Sequence, residues 1–119
     1  MKQLKIRNAQ LEPFEERGLK RITKAVNGAW PEICETLGED GVRKRIKKAL
    51  LLAHKYKIIL PSNATRLVHL TFLLDNDELD TSPDTGWAKA ILNWEDSEKF
   101  RLAALEYRGE KEFEKKLGV

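Results

Sequence analysis

The 119 residues carry 34% charged and 41% hydrophobic side chains, with a formal net charge of +3. That balance suits one well-solvated globular domain of residues 1–119, large enough to form a core without metals or disulfides. No window approaches a membrane span or a signal-peptide apolar run, and the single cysteine, Cys34, has no disulfide partner, so the expectation is a cytoplasmic protein with no membrane contact.

Charge is unevenly laid along the chain. Residues 1–40 hold seven basic and seven acidic side chains. Residues 41–74 hold eight basic and no acidic ones, whereas residues 75–119 hold seven basic and twelve acidic ones. Blocks of opposite sign either neutralise each other across the fold or mark two binding faces.

Met1 to Arg7 reads as a short basic lead that frays. Apolar residues then fall at Leu11, Phe14, Leu19, Ile22, Val26 and Trp30, the spacing of one long amphipathic helix for which Asn8 is an N-cap. Pro31 ends that helix and opens a short one carrying Ile33, Cys34 and Leu37, which Gly38 stops. Cys34 is expected as a small buried hydrophobe.

Asp40 can cap a helix over Gly41 to Tyr56 whose inward face is Val42, Ile46, Ala49, Leu50, Ala53 and Tyr56. Arg43, Lys44, Arg45, Lys47, Lys48 and Lys55 spread around the remaining arc, with Leu51 among them. Ile58-Ile59-Leu60 is either an extended connector or a strand fragment. Pro61 and Ser62 restart a helix, with Ser62 as N-cap, through Leu67, Val68, Leu70 and Leu74.

The stretch from Phe72 to Leu92, FLLDNDELDTSPDTGWAKAIL, holds the densest mixture of signals. An apolar helix end runs into Asp75, Asp77, Glu78, Asp80 and Asp84, after which Ser82-Pro83-Asp84 starts a helix facing inward through Trp87, Ala88, Ile91 and Leu92. Trp94 follows, partly exposed. Asp96 or Ser97 caps a last helix using Phe100, Ala103, Ala104 and Tyr107, and Gly109 can break it before a charged tail, 110–119, that frays. Turn residues at helix-length intervals and the lack of period-two alternation predict an all-α compact bundle of five to seven helices.

The chemistry is mostly exclusion. Counting from Asp75, an EF-hand loop would need an oxygen ligand at position 5, Gly at 6 and Glu at 12. The chain has Leu79, Asp80 and Gly86 there, so no metal is expected and no cofactor either. Asp75, Asp77, Glu78 and Asp80 can instead cap the next helix or pair with the basic helix. His54 and His69 sit in no ligand or nucleophile motif, and no phosphate-binding loop or nucleophile elbow is present, so the chain is read as no enzyme. Arg43, Lys44, Arg45, Lys47, Lys48, Lys55 and Lys57 could track phosphates. Nucleic acid is nevertheless disfavoured: the turn from Tyr56 to Ser62 is too long for a helix-turn-helix, aromatic-basic interleaving is lacking, and the acidic third repels a duplex. Three tryptophans, Trp30, Trp87 and Trp94, suit cores and protein interfaces alike.

The runs FEERGLKRI, WPEICETLGEDGVRKRI, AHKYKI and RLVHLTFLLDNDELDTSPDTGWAKAIL resemble a family of small helical bacterial proteins associated with type VI secretion effector modules. The resemblance covers about residues 12 to 107. Its most specific part is the acidic Asp-Thr-x-Pro loop and the Trp-Ala-x-x-Ile-Leu helix. Leu79 stands where that family has an aromatic residue, and Asp75-Asn76 where it often has Gly-Pro.

The resemblance implies an accessory or co-chaperone-like adaptor that binds a secretion effector, its chaperone or a spike-tip protein. Two partner-binding surfaces are expected. One is the acidic loop and following helix, Asp75, Asp77, Glu78, Asp80, Asp84, Trp87 and Trp94. The other is the basic helix, Arg43, Lys44, Lys47, Lys48 and Lys55. The alternatives are an immunity protein that neutralises a toxin, and a nucleic-acid-binding domain using the basic helix 42–56.

Overall fold

The computed structural model describes residues 16–118. Among them are five α-helices: α1 (Glu16–Ala29), α2 (Pro31–Lys55), α3 (Pro61–Leu73), α4 (Gly86–Leu92) and α5 (Glu98–Lys116), with a 3-10 turn over Pro83–Thr85 and no strand. The all-α bundle expected from the sequence is the fold. The expected Asn8 cap, basic lead and first apolar positions Leu11 and Phe14 lie outside the described residues.

In α1 the inward positions are the expected ones: Ile22 and Val26 are buried, and Leu19 and Trp30 pack against the core. Pro31 sits in the first turn of α2, where a missing N–H costs nothing. Gly38 then takes φ 75°, a left-handed conformation that an L side chain would strain. The helix axis breaks there and resumes, so the two predicted helices are the arms of one kinked α2. Its second arm buries Val42, Ile46, Ala49, Leu50 and Ala53 as expected, and also Arg45 and Leu52. Leu51 is exposed among the basic side chains.

Residues 58–60 form a connector in which Ile58 is buried while Ile59 and Leu60 are exposed. Helix α3 has Leu60, not Ser62, as its N-cap, and no side chain within the segment caps it. The acceptor comes from elsewhere, as described below. Buried Leu67, Val68, Leu70 and Phe72 make α3 the central helix, packed against α2 on one side and α5 on the other.

In α5, Ser97 is the N-cap, its Oγ accepting from Phe100 N at 3.4 Å. The inward face, however, differs from the expected one. Leu102 and Leu105 are fully buried together with Arg101 and Gly109, whereas Phe100 and Tyr107 are 65% and 66% exposed. Scoring by hydrophobicity alone chose the wrong stripe, because two inward positions are occupied by a charged residue and a residue with no side chain. Gly109 does not break the helix, which continues to Lys116 through part of the stretch expected to fray. No helix of the described residues is long and apolar enough to cross a membrane.

Candidate functional site

The acidic loop is clasped onto the basic helix. Helix α3 ends at Leu73, and Asp75 takes φ 49°, reversing the chain so that residues 75–80 run beside α2. Asn76 Oδ1 accepts from Glu78 N at 2.8 Å, which tightens the loop. Leu79, the lone apolar residue among the carboxylates, is fully buried and plugs the loop into the core. Its carbonyl accepts from the Thr85 hydroxyl at 2.9 Å.

With the loop so anchored, its carboxylates meet α2 in register. Arg45 Nη1 donates to Asp75 Oδ1 at 2.7 Å, with the guanidinium 5.4 Å from the centre of the Phe72 ring. Lys48 Nζ lies 3.5 Å from Asp77 Oδ1 and 3.2 Å from Glu78 Oε1. Lys55 Nζ and the Tyr56 hydroxyl both donate to Asp80 Oδ2, at 2.8 and 3.0 Å. The Asp80 side chain is only 11% exposed. Burial pushes its carboxyl up, but the Lys55 and Tyr56 hydrogen bonds outweigh that and hold it below the usual carboxylate range. Burial, reinforced by Asp80, raises the Tyr56 phenol.

Over Asp77, Glu78, Asp80, Lys48 and Lys55 the two expected surfaces are therefore each other's partners, while Asp75 is taken by Arg45, which was not among the expected surface residues. The exposed Lys48 pairs contribute about 0–1 kcal/mol each and mainly fix register, whereas the Arg45 and Asp80 ties each have one buried member. The remaining named residues stand apart from it. Asp84 is exposed in the 3-10 turn. Trp87 is half-buried, with Arg108 over its ring at 5.4 Å and no partner for its Nε1 among the described residues. Arg43, Lys44 and Lys47 are exposed on α2 away from the loop.

A second arrangement, at one end of the bundle, joins the connector between α2 and α3 to the one between α4 and α5. Glu98, first residue of α5, accepts from the backbone of Ile59 and Leu60 at 3.0 and 2.9 Å and from Asn63 Nδ2 at 2.8 Å. This is the missing cap of α3. Burial pushes the Glu98 carboxyl up, yet the Asn63, Ile59 and Leu60 bonds and the field of Arg101 carry it below its ordinary value. Arg101, 6% exposed, donates to the Tyr56, Leu92 and Asp96 carbonyls at 2.7, 3.0 and 3.0 Å. Both connectors are thus tied to the first turn of α5. At this tied end Ile59, Leu60, Phe100 and Trp94 remain exposed, Trp94 at 47%.

The histidines show no catalytic arrangement. His69 Nδ1 accepts from Trp30 Nε1 at 3.1 Å, which pins the start of α2 to α3, and burial lowers its pKa. Beside it Arg66 is paired with Glu106 through two hydrogen bonds. Cys34 is buried, its Sγ 3.5 Å from the Val26 carbonyl, and desolvation raises its pKa against the field of Arg45. A thiol in that state is a poor nucleophile. Among the described residues no three His, Cys, Asp or Glu side chains are gathered where they could hold a metal ion.

Sequence reasoning missed Leu79, Glu98 and Arg101. Leu79 had a signal, an isolated apolar residue within an acidic run. Glu98 and Arg101 had none, since Glu98 takes its partners from residues 35 to 39 positions away and Arg101 is bound, among the described residues, only to backbone carbonyls, one of them 45 positions away. Comparison with protein-family models, with curated proteins and with solved structures returned no match.

Proposed function

We propose that the chain is a protein-binding accessory without chemistry of its own, an adaptor or co-chaperone for a bacterial type VI secretion effector or its chaperone. The observation that carries the binding reading is the tied end of the bundle. Ile59, Leu60, Trp94 and Phe100 are exposed there on a backbone that Glu98 and Arg101 hold in place. Large apolar side chains on a fixed backbone lose little conformational entropy on docking, and tryptophan is favoured at interface hot spots. The secretion context rests on the resemblance of residues 12 to 107, and places the action in the cytoplasm before export.

The clasp fits this reading as a scaffold. Its charges neutralise each other, so it holds α2 and the loop in register and leaves contact with the partner to the apolar end.

Affinity capture from the native bacterium tests the reading, with protein and nucleic acid both analysed. The expected result is a stoichiometric effector, effector chaperone or spike-tip protein that is lost with the double variant Ile59→Ser/Trp94→Ala. A toxin whose activity the chain abolishes would replace the helper role with an immunity role. Nucleic acid alone, released by raised salt, would sink both.

A further inference from the structure

Helix α2 carries two sets of cations, and only one is used by the clasp. Arg45, Lys48 and Lys55 point to the loop. On the other flank of its buried stripe, Arg43 and Lys47 face α1, whose Lys20 and Lys24 approach from the opposite side. These four cations rim a groove of about 520 Å³ between α1 and α2. Its floor is Leu19 and Thr23, with Ile46 buried beneath them. Among the described residues the only carboxylate paired with any of the four is Glu39, 3.9 Å from Arg43.

We infer that this groove binds an acidic amphipathic segment of a partner protein, with carboxylates on the cationic rim and an apolar side chain on the floor. Charge complementarity selects the sign of the occupant, because Lys20, Lys24, Arg43 and Lys47 outnumber Glu16 and Glu39 and leave the groove net positive. The floor selects a peptide over a nucleic acid. It offers aliphatic surface with no aromatic ring for a base to stack on. The groove shares no residue with the apolar end that carries the proposed function, so either can fail alone.

Fluorescence anisotropy on the full chain decides it. The probe is a short labelled amphipathic peptide with Glu on one helical face and Leu on the other. Its comparators are the same peptide with Ser in place of Leu, and a single-stranded oligothymidylate of equal length. The Glu/Leu peptide should bind at least about tenfold more tightly than either comparator. Lys24→Glu/Lys47→Glu should weaken it by about tenfold or more, while Lys89→Glu, an equal-sign change on α4, leaves it unchanged. If circular dichroism shows that the charge-reversed variant has lost helix, Lys24→Gln/Lys47→Gln serves instead, with a weakening of at least about threefold expected. No binding, equal binding of the Ser peptide or the oligonucleotide, or equal weakening by Lys89→Glu would each overturn the inference.

Discussion

Arg45 lies buried under the acidic loop, and its tie to Asp75 at 2.7 Å is unequal: the guanidinium side chain is 9% exposed and the carboxylate 64%. Removing the exposed member therefore harms more than its exposure suggests. Arg45 Nε already lacks a partner among the described residues, so without Asp75 a nearly dry cation keeps little among them beyond the Phe72 ring face. Asp75→Ala also puts alanine at φ 49°, a region that Asp and Asn tolerate better. The expected cost is about 2–3 kcal/mol. Asp75→Asn, which keeps the backbone tolerance, should cost about half that, and adding Arg45→Met to it should restore part of the loss. Denaturant midpoints measure all three; a double variant less stable than Asp75→Ala would refute the buried-charge account.

Acid should weaken the Glu98 cap only once the pH falls below the ordinary glutamate range. The Glu98 carboxyl is held below its unfolded value by its bonds from Asn63, Ile59 and Leu60, although burial opposes this. A depressed folded pKa gives stability that is fully present above the ordinary glutamate value and lost as pH falls through the folded one. Glu98→Gln should cost about 1 kcal/mol at neutral pH, and its stability curve should converge with that of the natural chain at the acid end. Asp80, held down by Lys55 and Tyr56, leaves a residual acid limb in the variant. Parallel curves across the whole range would mean that the charge on Glu98 does not cap α3.

These two pairs also show what could be read in the chain alone. Periodicity found the helices wherever the buried stripe was aliphatic, as in Ile22–Val26 of α1 and Val42–Ala53 of α2, because local spacing and burial then coincide. It also flagged the opposite charge blocks, whose pairing across the fold was one of the two readings. It failed in α5, where Arg101 faces inward to serve carbonyls and Gly109 faces inward to make room. Capping was legible when the cap was local, as with Ser97, and invisible when Glu98 supplied it from a distant segment. The apolar end was half legible: Trp94 was expected to be exposed, but nothing in the sequence brings Ile59 and Leu60 to the same end.

Gly109 should resist the substitution that usually stabilises a helix. Replacing an exposed helical glycine by alanine gains about 1 kcal/mol. Here a Cβ would stand 2.5 Å from Leu70 Cδ1, inside the α3–α5 contact where Leu70 is itself buried. The overlap should reverse the sign and leave Gly109→Ala less stable by about 1 kcal/mol. A double-mutant cycle isolates the cause: in a Leu70→Ala background the same substitution should become neutral or stabilising. Additive losses would place the effect elsewhere than in this contact.

Arg101 should be the least replaceable charge in the chain. Tyr56 follows the end of α2 and Leu92 closes α4, so their carbonyls are among those that helix geometry leaves without a partner, and both are answered by Arg101 Nη1 while Nε takes Asp96. Lysine brings the charge but not the planar fork, and cannot reach three carbonyls spread around the guanidinium. Arg101→Lys should therefore cost about 2–4 kcal/mol, close to Arg101→Met. Hydrogen exchange separates a local from a global effect. Amides of residues 56–60 and 92–97 should gain exchange more than those of the α3 core around Val68, since the connectors lose their common anchor first. Because the same anchor holds Ile59, Leu60 and Trp94 in place, partner binding at the apolar end should fall under conditions where both variants remain folded. An Arg101→Lys protein as stable as the natural chain, with unchanged exchange at the connectors, would remove Arg101 from that role.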